Sequence, residues 1–148
     1  MATVVVASDH AGFEMKQVLK ALIADMGHQI ADVGTNDTAS VDYPDFGAAA
    51  AKEIRDGRAD LGVLVCGSGI GISIAANREP AVRAALCHDV TTTRLCRLHN
   101  DANVLALGSR VTGIETAKEC VRTFLTTDFE GGRHQRRVDK LGQAPDNA

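Results

Sequence analysis

No apolar run in this chain approaches 18 residues, so the sequence offers no membrane-spanning helix. Positive charge is not in excess either: 16 Lys and Arg stand against 19 Asp and Glu, a net charge of −3, which argues against a general nucleic-acid binder. The four cysteines, at 66, 87, 96 and 120, form no C-x-x-C pair and match no zinc spacing. The N-terminus lacks the basic flank and cleavage site of a secretory leader. A disulfide framework is therefore not expected, and the cytoplasm is the expected compartment. Internal repeats are absent, and low complexity is confined to residues 143–148, expected to fray.

What remains is an ordinary globular composition, 45% apolar and 24% charged, over 148 residues. That length predicts one domain with a real core. Thr3–Ala7 reads as a buried strand. Met15, Val18, Leu19, Leu22, Ile23 and Met26 then recur at helical spacing until Gly27. Gln29–Val33 is a second strand, and an Ala-rich helix is expected from Phe46 to about Arg55, because Pro44 disfavours helix just before it. Further strands are expected at Leu61–Val65, Val82–Leu86 and Val104–Leu107. Helices are expected from Val90 to about Leu98 and around Ala117–Leu125, with His99–Asn103 a polar turn and a basic tail from Arg133 to Lys140. Strands alternating with helices imply crossovers. The expected fold class is α/β: a three-layer α/β/α sandwich around a five-stranded, mostly parallel, Rossmann-like sheet. Ligands bind such sheets beyond the carboxyl ends of the strands, at the switch in strand order.

One stretch concentrates the chemistry. A strand ends in Cys66, and Gly67, Gly69 and Gly71 follow at alternate positions before an Ile/Ala-rich helical segment. A strand, a glycine turn and a helix start gather backbone N–H groups around one point. A thiol so placed has its thiolate favoured. The same residues also suit a buried small hydrophobe and a close helix–sheet contact. The glycine spacing is not the dinucleotide fingerprint, and no P-loop Lys-Ser/Thr pair is present. A thiol phosphatase loop would need arginine where Ile72 stands. Cys87, Cys96 and Cys120 lie in apolar or helical contexts and read as packing residues.

Loop histidines at 10 and 99 suit acid–base work or a solvated surface. Asp9 suits orienting His10, binding hydroxyls or capping the helix near Phe13. Tyr43, the only tyrosine, reads equally as packing. Arg133 and Arg137, four apart, share a face if the tail is helical; that suits a phosphate or an ordinary solvated face.

The segments Ser8–Phe13, Val41–Asp45, Cys66–Asn77, Arg97–Val104, Gly108–Arg110 and Glu130–Val138, in order and without a large insertion, resemble the type B ribose-5-phosphate isomerases, grouped with galactose-6-phosphate isomerase subunits. The resemblance implies a metal-free and cofactor-free aldose–ketose isomerase acting on a phosphosugar. It implies Cys66 as the base, His99 with Asp9 in ring opening, and Gly67, Ser68, Gly69, Ile70 and Gly71 around the enediolate oxygens. Substrate contacts are implied for His10, Arg133 and Arg137, with Asn100, Arg110 and Tyr43 nearby. It also implies a homodimer with shared active sites, with a dimer of dimers as an extension. Ser68 stands where some members carry threonine, which keeps the hydroxyl. A six-carbon sugar phosphate, a free rare aldose, a non-catalytic sugar-phosphate-binding module and a weaker thiol hydrolase remain the alternatives.

Overall fold

Strand and helix alternate as far as Thr126 in the computed structural model, which describes residues 1–143. The order is β1 (Thr3–Ser8), α1 (Phe13–Asp25), β2 (Gln29–Asp32), α2 (Tyr43–Arg55), β3 (Leu61–Cys66), α3 (Ile70–Ala76), β4 (Ala84–Leu86), α4 (Val90–Asn100), β5 (Val104–Gly108) and α5 (Ile114–Thr126). A 3₁₀ turn at Gly132–His134 then leads into α6 (Gln135–Leu141). The strands form one sheet in the order β2-β1-β3-β5-β4. Every neighbouring pair is parallel, so the sheet is wholly rather than mostly parallel.

The central strands are apolar at nearly every position because both faces are covered. Val4, Val6, Val63, Val65, Leu105 and Leu107 pack on one side against α1, α4 and α5. Their alternating neighbours Val5, Ala7, Leu64, Cys66, Val104 and Ala106 pack on the other side with residues of α2 and α3. These are the two cores of a three-layer sandwich. Cys87, Cys96 and Cys120 belong to the first core, as their contexts predict.

Three boundaries differ from the sequence reading, each for a local reason. Helix α2 begins at Tyr43 rather than Phe46, with Pro44 in its first turn. A proline there gives up an N–H that has no helical partner anyway. Helix α4 continues to Asn100 and is closed by Asp101 in the left-handed conformation at φ 45°. His99 and Asn100 therefore sit on the last helical turn, not in a loop. Strand β4 is shorter than expected because the Val82 N–H turns back to Glu79 O at 2.9 Å. The Arg83 N–H goes instead to Asn103 Oδ1 at 2.7 Å.

A buried ion pair braces the β1/β2 side of the sheet. Lys16, 1% exposed, reaches Asp32 Oδ1 at 2.8 Å and the Thr35 carbonyl at 2.6 Å. Lys20 meets Asp32 Oδ2 at 2.9 Å. Burial alone would raise the Asp32 pKa, but hydrogen bonds from Lys16, Lys20 and the Gly34 N–H outweigh it and hold the carboxyl below its ordinary value. Of the tail expected to fray, Gln143 closes the end of α6 through its N–H to Lys140 O at 3.3 Å, and residues 144–148 lie outside the described part.

Candidate active site

The order of strands reverses between β1 and β3. Loops leaving their carboxyl ends diverge to opposite faces there and leave a crevice. An open cleft of about 540 Å³ occupies it. Asp9 and His10 come from the end of β1, and Cys66, Gly67 and Ser68 from the end of β3. Tyr43 enters from the start of α2 and Arg110 from the turn after β5. Four segments far apart in sequence thus converge because all of them follow strands, or start a helix, at one edge.

Glycines set the shape of this cleft. Gly69 holds φ at +80° just before α3, in the left-handed region that an L side chain resists. A Cβ there would also lie 2.8 Å from the Leu107 carbonyl carbon. Gly71 lets the Tyr43 ring lie against α3, since a Cβ would stand 2.3 Å from its Cε1. The loop then folds back on its own side chains. The Gly69 N–H donates to Cys66 Sγ at 3.2 Å, and the Ile70 N–H donates to Ser68 Oγ at 3.2 Å. The sulfur is 4% exposed as a residue, so it is fixed at the floor of the cleft beside a turn of amides.

Asp9 is also buried, and its Oδ1 accepts the Gly12 N–H at 3.1 Å, closing the turn ahead of α1. That is close to the capping reading, yet the carboxylate still lines the cleft. His10 Nδ1 accepts the Val41 N–H at 3.1 Å, which leaves Nε2 as the ring's donor. Ser109 Oγ donates to Ala11 O at 2.8 Å and ties the β5 turn, with Arg110, to the β1 turn.

The other expected residues are elsewhere. Helix α4 returns from the carboxyl edge of β4 toward the amino end of β5, and its 11 residues span about 16 Å. His99 and Asn100, on its last turn, therefore lie at the opposite edge of the sheet from Cys66. The tail joins them: the Glu130 N–H donates to Leu98 O at 3.1 Å, and the His99 and His134 rings stack at 4.4 Å. His134 and Val138 turn inward, and the exposed Arg133 and Arg137 precede them by one residue each. Among the described residues neither arginine is in an ion pair. Asn100 instead borders a second cleft, of about 400 Å³, with Asn77, Arg83 and Leu141. The expected site residues thus fall into two groups on one chain. The sequence reading did not single out Glu130 or His134. Their four-residue spacing was a signal, but their meeting with His99 is a long-range contact.

No helix among the described residues is long and apolar enough to cross a membrane. Residues 4–141 match the family model described as Ribose/Galactose Isomerase. Ribose-5-phosphate isomerase B of Escherichia coli K12 is 42% identical over 141 residues, 95% of each chain. The putative sugar phosphate isomerase YwlF of Bacillus subtilis is 42% identical over 139 residues, 93% of each. Solved structures of ribose-5-phosphate isomerase B from Clostridium thermocellum and Thermotoga maritima both superpose with a TM-score of 0.93 at 45% identity. The first match covers 95% of both chains, the second 97% of this chain and 99% of that one. Agreement at this level in sequence and backbone, over almost the whole length, leaves one conclusion: the chain belongs to the ribose/galactose isomerase family.

Proposed function

We propose that this protein is an aldose–ketose isomerase that interconverts D-ribose 5-phosphate and D-ribulose 5-phosphate through an enediolate. The observation that carries the reading is Cys66 Sγ, held by the Gly69 N–H at the floor of a cleft walled by the Gly67–Gly71 turn. The relatives named for this reaction support it.

The chemistry follows from the geometry. The C2 proton of the open-chain aldose is weakly acidic, so a base alone does not suffice. Cys66 as thiolate takes that proton while negative charge builds on O1. Amides of the turn and the Ser68 hydroxyl meet that charge, a contribution typically worth about 10²–10³ in rate per donor. The thiol then returns its proton to C1, and a proton passes from O2 to O1 to complete the ketose. Tyr43 and His10 wall the sugar, and Arg110 lies over the turn.

Ring opening and phosphate binding need the second group. His99 gives a proton to the ring oxygen, Asp9 accepts the anomeric hydroxyl proton, and Arg133, Arg137 and Asn100 hold the phosphate. One chain unites Asp9 with Cys66 but not His99, Asn100, Arg133 or Arg137, so the working unit is a homodimer in which the partner's amino edge closes the cleft. The apolar rim supports this: Ile70, Ile74 and Val111 are 51%, 51% and 58% exposed. Patches of this kind mark interaction surfaces.

The test is proton NMR of ribulose 5-phosphate in heavy water. Wild-type protein should exchange a C1 proton for deuterium and form ribose 5-phosphate; Cys66→Ala should do neither while keeping its fold. Full exchange by that variant overturns the assignment of the base. A panel of five- and six-carbon sugars, with and without phosphate, fixes the substrate.

A further inference from the structure

The amino-edge group has a feature that isomerisation does not require. Ligand atoms of His99, Glu130 and His134 all lie within 4.8 Å of one another. His134 Nε2 is 3.4 Å from Glu130 Oε2, and His99 Nε2 is 4.0 Å from Glu130 Oε1. Both imidazoles therefore turn Nε2 toward one carboxylate. His134 is 8% exposed, and its Nε2 is buried with no hydrogen-bond partner. A buried polar atom left without a partner is destabilising, and here it faces two further ligands.

We propose that His99, Glu130 and His134 form a site for a first-row divalent transition ion, Zn²⁺ foremost, and that occupancy switches the isomerase off by taking His99 out of ring opening. Two imidazoles and a carboxylate are a three-ligand zinc set with a fourth position left for water. Imidazole nitrogen selects against Mg²⁺ and Ca²⁺, which take oxygen. Bonds of about 2.0–2.1 Å put tetrahedral ligand atoms about 3.4 Å apart, the spacing that His134 and Glu130 already have. The two rings stack 18° from parallel, so the ion requires one imidazole to turn its lone pair toward the common point and the half-exposed Glu130 carboxylate to close on His99. Ion binding stands on these residues alone; the inhibition rests on the isomerase reading of His99.

The experiment titrates Zn²⁺ by calorimetry, and Co²⁺ by visible absorption, into the full chain after chelator treatment. One ion per chain is expected, with the Co²⁺ spectrum of a nitrogen/oxygen set and no thiolate-to-cobalt charge-transfer band. Cys66→Ala should bind as well as wild type. His134→Asn and Glu130→Gln should each weaken binding by roughly 10–100-fold or more, as loss of a partner in a metal site does. Glu130→Gln alters a half-exposed carboxylate and carries the test if His134→Asn fails to fold. Zn²⁺ should inhibit wild-type turnover of ribose 5-phosphate over its binding range, and chelator should reverse the inhibition. Each variant's inhibition is read against its own uninhibited rate. A charge-transfer band that vanishes in Cys66→Ala, binding unaffected by both ligand variants, or no binding overturns the site. Binding as described with undiminished turnover overturns the switch and the ring-opening role of His99 together, and leaves the site standing. Absence of any isomerase activity sinks the functional reading without touching the binding result.

Discussion

The carboxyl-edge cleft and the amino-edge cluster are built by different means. Around Cys66 the working groups are backbone amides and short side chains, pinned by glycines that tolerate no Cβ. Around His99 they are long side chains on a helix end and a tail, joined by ring stacking and a single backbone hydrogen bond to Leu98 O. The first arrangement suits meeting a charge that exists only in flight, where donors must already be in place. The second suits gripping a substrate's far end and handing over a proton, where some travel is tolerable.

The sharpest probe of this contrast separates the two steps. Cys66→Ala should lower both C1 deuterium exchange and net conversion by about 10²–10⁴-fold, the usual scale for a lost acid–base group. His99→Asn should lower ribose 5-phosphate conversion on the same scale but spare exchange at C1 of the ketose, which has no ring to open. Loss of exchange in His99→Asn would erase the distinction between the edges.

Next in size is the buried ion pair on the β1/β2 side of the sheet. Asp32→Ala strands the buried Lys16 ammonium and should cost about 3–5 kcal/mol in chemical denaturation, as broken buried pairs do. The Asp32 carboxyl is held below its ordinary value. Its stabilising contribution should therefore be complete above the ordinary carboxylate value of 3.8 that applies to the unfolded chain, and fade as pH falls through the lower folded value. An acid-unfolding midpoint unmoved by Asp32→Asn would contradict that.

Gly69→Ala should then cost about 1–3 kcal/mol from left-handed backbone strain alone, before its clash with Leu107 is added. The smallest effect is expected at Arg137→Gln. Losing one charged hydrogen bond, worth about 1.5–3 kcal/mol, should raise KM by roughly 10–100-fold with little change in kcat. Unchanged KM would make the tail a solvated face.

The sequence made most of the carboxyl edge readable, because Asp9, His10, Cys66–Gly71 and Arg110 each follow an apolar strand run and the switch point is a rule of parallel sheets. Tyr43 and His99 were harder. A rule about residues before proline hid the first turn of α2, although proline is at home in that turn. The polar run His99–Asn103 hid the end of α4, which an aspartate rather than a glycine terminates. The grouping of His99 with Glu130 and His134 had no local signature, since it depends on the tail docking at the Leu98 carbonyl.

The placement of Cys66 and His99 at opposite edges has a consequence for mixed populations. In the proposed dimer each chain offers a socket at one end and a plug at the other. A Cys66→Ala chain has a broken socket and a sound plug; a His99→Asn chain has the reverse. Co-refolding the two inactive proteins should restore turnover, since every hybrid pair contains one sound socket facing one sound plug.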